Sequence, residues 1–382
     1  MGRIGLLRVH EGPAQNRYGN GYSGLQGGCG GAFAGLVGRT WYKADLAIER
    51  ACVPAINRGR AAFPFTAMTL ISIPANPVPE DVVSGFLKTR DGAEVRFARW
   101  APPPGRKGTV CLFQGRAEFI EKYFETVRDL RSRGFAVATI DWRGQGLSER
   151  TLRNSRKGYV RNFSDYIIDL ETFINEVVLP DCPPPFFALG HSMGATILLT
   201  AAHRGHRWFD RMVLLAPMIA LPGARRSSIT RAGVKVMRLM GFGSAYVPGG
   251  DSTVLAQRPF IGNLVTSDPV RYARNVAVLE AEPKLAIAWP TVAWADSAFK
   301  TMRAMAEPGY SLKIRHPILV VAAGQDQIVS TPAIDEFAIR LRAGRHLIVA
   351  GARHELLMEQ DRYRMQVLAA FDAFVPGTPL FG

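Results

Sequence analysis

The stretch 185-PFFALGHSMGATILLTAA-202 decides the reading of this chain. Phe186 to Leu189 is an apolar run of strand type, Gly190-His191-Ser192-Met193-Gly194 breaks it, and a second apolar run with small residues follows. A strand turning this abruptly into a helix strains an ordinary residue. A glycine two positions to either side leaves room for the neighbouring strand and helix backbones. The serine then projects its hydroxyl over the carboxyl edge of a sheet, where open α/β folds bind their ligands. A helix beginning at Met193 aims backbone N–H groups at the same point, which suits a developing oxyanion.

The flanking sequence supplies that sheet. Val82 to Lys88 and Glu94 to Trp100 read as a hairpin joined at Asp91-Gly92. Short apolar strands follow at Thr109 to Phe113, Phe135 to Ile140, Met212 to Leu215, Ile318 to Ala322 and His346 to Val349. Helical spacing of apolar residues fills the gaps from Phe119 to Leu130 and from Tyr166 to Val178, and a last helix runs from Asp361 to Phe374. Strands rich in Val, Ile and Leu between helices imply a buried, mostly parallel sheet, hence an α/β fold. Residues 218–310 interrupt the alternation with helical, partly basic sequence, so they are expected to be an insertion between two sheet strands. Residues 68–217 and 311–382 are then the core.

A serine hydroxyl is a poor nucleophile until a base takes its proton, and the base needs an acid to orient it. Both are present in the expected chain order. Asp326 lies just past a strand, after ILVVAAGQ, and His354 lies in the loop after the last strand, following HLIVAGAR. His346 is a rival base but stands at the wrong end of its strand, so it reads as structural. Asp335 and Glu336 read as surface charges. The candidate catalytic residues are therefore Ser192, Asp326 and His354. The oxyanion needs a second N–H from the loop after the third strand, 114-QGRAEFIEKY-123; Arg116 is the candidate, paired with Met193. Gln114 and Glu118 are candidates for bracing that loop.

Composition excludes more than it identifies. Lys and Arg exceed Asp and Glu by 15, which favours anionic partners such as lipid headgroups or nucleic acid without choosing one. No zinc finger, helix-turn-helix or basic-aromatic RNA motif supports nucleic acid. Cys29, Cys52, Cys111 and Cys182 form neither a zinc pattern nor a disulfide framework, so a reducing cytoplasm is expected, with no metal and no cofactor. No apolar run reaches the roughly 18 residues of a membrane span, and no standard signal peptide is recognisable. Residues 1–67 are glycine-rich and lack apolar periodicity. Gly19 to Gly24 match GxGxxG by letters, but no strand precedes them and no helix pattern follows. This region is expected to be a disordered extension, or to precede a translation start at Met68.

Four blocks carry a family resemblance: 114-QGRAEFIEKY-123, 141-DWRGQGLSER-150, 189-LGHSMGA-195 and 351-GARHELLME-359. Together they resemble the α/β-hydrolase fold, and more narrowly the monoacylglycerol lipase and bacterial lysophospholipase group, also grouped with serine aminopeptidases. The likeness covers about residues 80 to 375. Monoacylglycerol lipases usually begin the first block with His-Gly; Gln114-Gly115 here is similar to the lysophospholipase side. The resemblance implies that residues 218–310 form a cap over the active site. Within it, Val234, Val236, Met237, Met240 and Phe242 are expected on an apolar face, with Arg231, Lys235 and Arg238 elsewhere on the helix. Such a helix suits peripheral contact with an anionic inner-membrane face. The stretch 287-IAWPTVAWADSAF-299 is expected to line or roof the pocket. The implied activity is hydrolysis of lysophospholipid or monoacylglycerol esters through an acyl-enzyme. Peptidase, thioesterase, acyltransferase or peroxidase activity on the same fold, and nucleic-acid binding, are the alternatives. Dehalogenases and epoxide hydrolases use an aspartate where Ser192 stands.

Overall fold

The computed structural model describes residues 70–104, 107–254 and 258–375, with only the backbone of 224–228. The chain divides into two units, Met1–Ala61 and Ala62–Gly382, and all described residues fall in the second. The reading of residues 1–67 lies outside the described residues.

The strands are β1 (Val82–Lys88), β2 (Glu94–Trp100), β3 (Thr109–Phe113), β4 (Ala136–Ile140), β5 (Phe186–His191), β6 (Arg211–Leu215), β7 (Ile318–Ala323) and β8 (Gly344–Val349). They form one sheet in the order β1-β2-β4-β3-β5-β6-β7-β8. The β1–β2 and β2–β4 pairs are antiparallel and the rest parallel. Every residue of β3, β4 and β7 is buried, as continuous apolar strands covered on both faces must be. The hairpin turns where expected, with Gly92 at φ 90° and Thr89 N–H donating to Ala93 O at 2.8 Å.

The helices are α1 (Phe124–Ser132), α2 (Ser164–Phe173), α3 (Leu179–Asp181), α4 (Met193–His203), α5 (Ala224–Leu239), α6 (Pro269–Ala281), α7 (Val292–Ala306), α8 (Thr331–Ile339) and α9 (Asp361–Phe374). Two differ from the sequence expectation. The helix expected from Phe119 starts as a tight turn, Ile120–Tyr123, and becomes α-helical only at Phe124. There the Ile120 N–H donates to Asp141 Oδ1 at 3.0 Å, and Glu121 turns inward to Arg96 at 2.7 Å. The helix expected to Val178 widens after Phe173 into a π turn, Ile174–Val178. Pro180, in α3, lacks the N–H that a regular α-helix would need there.

Between β6 and β7 the chain forms α5, α6 and α7. The N-terminus of α6 is capped by Asp268, which accepts from the N–H groups of Val270 and Arg271 at 2.9 Å. A small apolar cluster that includes Val278, Leu279, Leu285 and Phe119 holds this region against the loop after β3. Lys157 and Gly158, from the loop after β4, meet it as well, through Ser244 and Pro290.

Candidate active site

Ser192 stands between β5 and α4 with φ 50° and ψ −112°, a conformation that L-residues other than glycine rarely adopt. The surroundings over-determine it. Its N–H donates to Leu215 O at 2.9 Å, and its carbonyl accepts from Thr196 N–H at 3.1 Å and Met218 N–H at 3.2 Å. The flanking glycines are steric requirements. A Cβ on Gly194 would lie 2.5 Å from Phe113 O, and one on Gly190 would lie 2.7 Å from the Leu198 side chain and 3.0 Å from Ala195 Cα.

The structure brings together the three residues that the sequence pointed to. His354 Nε2 lies 3.0 Å from Ser192 Oγ, and His354 Nδ1 lies 2.7 Å from Asp326 Oδ2. Asp326 is fixed in turn, with Oδ1 accepting from Ile328 N–H at 2.8 Å and Val329 N–H at 3.0 Å. Burial pushes the Asp326 carboxyl up. The hydrogen bond and charge of His354, with the two backbone N–H groups, outweigh burial and hold it below its ordinary 3.8. An ionised Asp326 places the proton on Nδ1 and leaves Nε2 free to accept from the serine. The rival, His346, lies in β8, is exposed, and pairs with Asp335 at 3.1 Å.

The loop after β3 crosses the N-terminus of α4. Met193 opens α4, so its N–H has no partner within the helix. The Gly115 N–H goes to Glu118 and the Ala117 N–H to Gln145 Oε1 at 3.3 Å. Among the described residues none accepts from the Arg116 N–H between them. Above the serine opens a cavity of about 680 Å³, lined by Met218, Val234, Trp289, Trp294, Phe299 and others. The 287–299 stretch thus lines it, as expected. The array can pass a proton from a hydroxyl to an imidazole beside a carboxylate, with N–H groups nearby for an oxyanion.

Residues 104–361 match the family model described as serine aminopeptidase, S33. The chain belongs to the S33 family. It is an α/β-hydrolase and a serine hydrolase. This S33 chain is 30% identical over 314 residues to lysophospholipase L2 of Escherichia coli (strain K12), spanning 76% of its own length and 89% of that protein. A soluble variant of monoglyceride lipase from Saccharomyces cerevisiae, solved with a substrate analogue, superposes with TM-score 0.60 at 18% identity, over 83% of this chain and 100% of that one. A carboxyl esterase from Bacillus coagulans, solved with glycerol, gives TM-score 0.61 at 19% identity, over 78% and 99%. The two structures establish the fold.

Around the S33 site lies a polar network that sequence reasoning met only at Gln114 and Glu118. The Glu118 carboxylate accepts from the Gly115 N–H, from Tyr123 OH at 2.7 Å and from Lys122 Nζ at 2.9 Å, and lies 3.2 Å from His191 Nδ1. Lys122 also meets Glu355, next to His354, at 2.7 Å. Gln145 Nε2 donates to Gly115 O at 2.8 Å and Trp142 Nε1 to Gln114 O at 3.0 Å. Burial pushes Glu118 up, but the Lys122 and His191 charges and hydrogen bonds hold it well below the usual carboxylate range. Burial pushes His191 down, and the Glu118 carboxylate raises it above its ordinary 6.5 despite that. Gln114 contributes less than expected: its Nε2 reaches Asp141 Oδ1 at 3.4 Å, and its Oε1 is buried without a partner among the described residues. The motif blocks 141–150 and 351–359 held Gln145 and Glu355 in plain view, but nothing in their spacing assigned them partners.

Proposed function

We propose that the protein hydrolyses carboxylic esters of lysophospholipids or monoacylglycerols, with Ser192 as nucleophile. The observation that carries this reading is the hydrogen-bonded chain from Ser192 Oγ through His354 to Asp326 at the floor of an apolar cavity. His354 takes the serine proton as Oγ attacks the ester carbonyl, and Asp326 stabilises the imidazolium. The N–H groups of Arg116 and Met193 hold the tetrahedral oxyanion. The carbonyl re-forms, the alcohol leaves with the proton from His354, and an acyl group remains on Ser192. Water, deprotonated by His354, attacks the acyl-enzyme and releases the fatty acid. Residues 218–310 act as the cap that receives the acyl chain. The names of the relatives, lysophospholipase L2 and monoglyceride lipase, support the same substrate class.

Contact with an anionic membrane is part of this reading. Val234 and Met237 of the helix singled out in the sequence turn inward, while Ile229, Val236, Leu239, Met240 and Phe242 are at least half exposed. The expected apolar face is therefore split, and its outer part is available to an interface. Among the described residues no helix is long and apolar enough to cross a membrane.

The deciding experiment assays wild type and Ser192→Ala on monoacylglycerols, lysophospholipids and aminoacyl amides. Ester turnover that depends on Ser192 supports the reading. Turnover confined to the amides replaces it with the peptidase alternative, and ester turnover that survives the substitution ends it.

A further inference from the structure

We propose that the Arg116 side chain recognises a phosphate in the substrate's headgroup, making phosphate-bearing lysolipids the preferred substrates. The proposal rests on the ester-hydrolase reading above and concerns only the side chain; the oxyanion role there belongs to the backbone.

The guanidinium is placed for this. It lines the cavity, Nη2 donates to Ala288 O at 2.5 Å, and its carbon lies 5.2 Å from the centroid of the Trp294 ring. Trp294 Nε1 is itself held by Tyr166 OH at 3.2 Å, so the stacking surface is fixed. The buried arginines have carboxylates, whereas Arg150, half-buried like Arg116, meets only backbone carbonyls. Arg96 meets Glu121 at 2.7 Å and Asp141 at 2.6 Å, and Arg271 meets Glu125 at 2.6 Å and Asp268 at 2.8 Å. Among the described residues no carboxylate pairs with Arg116, and its Nε is buried without an acceptor. The two acids that line the cavity, Glu118 and Glu355, are both committed to Lys122, at 2.9 and 2.7 Å.

A guanidinium removed from water without a counter-charge is costly, and a substrate anion would relieve that cost. Burial lowers the Arg116 pKa to about 10, which still leaves the cation intact at neutral pH. Its planar set of donors suits two phosphate oxygens better than a single carbonyl. The oxyanion role proposed above uses the Arg116 backbone N–H, and the guanidinium is at the far end of the side chain, among the cavity-lining residues. A fatty-acid carboxylate would lie at the serine instead.

The test compares wild type, Arg116→Met and Arg116→Lys on 1-palmitoyl lysophosphatidylglycerol and 1-palmitoylglycerol in the same neutral detergent micelles. The quantity read is the ratio of kcat/KM for the two esters. It should fall about tenfold or more in Arg116→Met, mainly through KM, and less in Arg116→Lys. A ratio unchanged in Arg116→Met overturns the proposal. A second arm uses wild type alone, measuring inhibition of nitrophenyl butyrate hydrolysis by glycerol 3-phosphate, glycerol and inorganic phosphate. Competitive inhibition strongest with glycerol 3-phosphate supports a headgroup site. Equal inhibition by inorganic phosphate would mark a free-anion site, and no inhibition by either would leave no phosphate site; both outcomes overturn the proposal even if the variants fail to fold. Loss of this arginine role with both esters still cleaved leaves the hydrolase reading standing. A wild type that cleaves neither ester sinks that reading itself.

Discussion

The imidazole of His191 lies against that of His354, ring centroids 4.9 Å apart, and its Nε2 sits 3.1 Å from the backbone carbonyl oxygen of the same histidine. The residue just before the serine therefore holds the loop that carries the proposed base. Its other nitrogen faces Glu118, which holds the loop of the proposed oxyanion donor. One imidazole links three chain segments that must agree in position.

Breaking that link should affect stability and turnover together. Glu118→Gln removes the charge facing Lys122 and His191 inside the protein, and loss of one partner of such a buried cluster costs about 3 kcal/mol. Urea unfolding at pH 7 should show this loss, and kcat should fall more than KM rises. A variant as stable and as fast as wild type would show the cluster to be idle.

The pH dependence of stability has a defined sign. The folded pKa of His191 is raised, so its contribution is complete below 6.5 and is lost as pH rises through the higher folded value. Wild type should therefore lose stability above pH 6.5 more steeply than His191→Asn, by denaturant unfolding across the series. Asp326 behaves oppositely: its folded pKa is depressed, so its contribution is present above 3.8 and is lost as pH falls through the lower folded value. Asp326→Asn should flatten that acid limb.

The same aspartate, if it orients His354, has a large kinetic effect. Asp326→Asn should reduce kcat on a nitrophenyl ester by about four orders of magnitude, with Ser192→Ala at least as severe. Circular dichroism should show both variants folded. Near-normal turnover in Asp326→Asn would mean that another group orients the histidine.

Gly194→Ala tests the elbow sterically. The new methyl would press on the backbone oxygens of Phe113 and Gln114, at 2.5 and 2.6 Å, which cannot rotate away. A destabilisation of about 2 kcal/mol or more is expected, with labelling of Ser192 by a fluorophosphonate strongly slowed. Labelling at the wild-type rate would contradict the packing described.

The outer row of α5 makes a separate test. Leu239 is 78% exposed, so Leu239→Glu should leave hydrolysis of a soluble nitrophenyl ester within twofold. Binding to phosphatidylglycerol vesicles in a sedimentation assay should weaken about tenfold, since the change removes a large apolar group and adds repulsion. Unchanged binding would remove that row from the interface.

Much of the fold was legible because it is local. The hairpin turns at Asp91-Gly92, the strand–serine–helix break at residues 186–203, and the closing helix from Asp361 are set by short-range patterns. The proposed triad was legible because each member follows a recognisable strand. What escaped is held by long-range pairs. Lys122 with Glu355 and Arg96 with Asp141 join residues far apart in the chain, and periodicity carries no information about such partners. The tight first turn before α1 escaped for the same reason, since it exists to bring Glu121 to Arg96. The split of the α5 face depends on which side meets the cavity, and only packing decides that.

The sheet order places β5 near the middle and β8 at the rim, with β8 hydrogen-bonded on one side only. The serine thus follows a strand paired on both sides, and His354 follows one paired on a single side. Fraying of that outermost strand would withdraw the imidazole while the interior stayed intact. Heat should then silence the protein before it melts, so its working temperature is governed by its periphery.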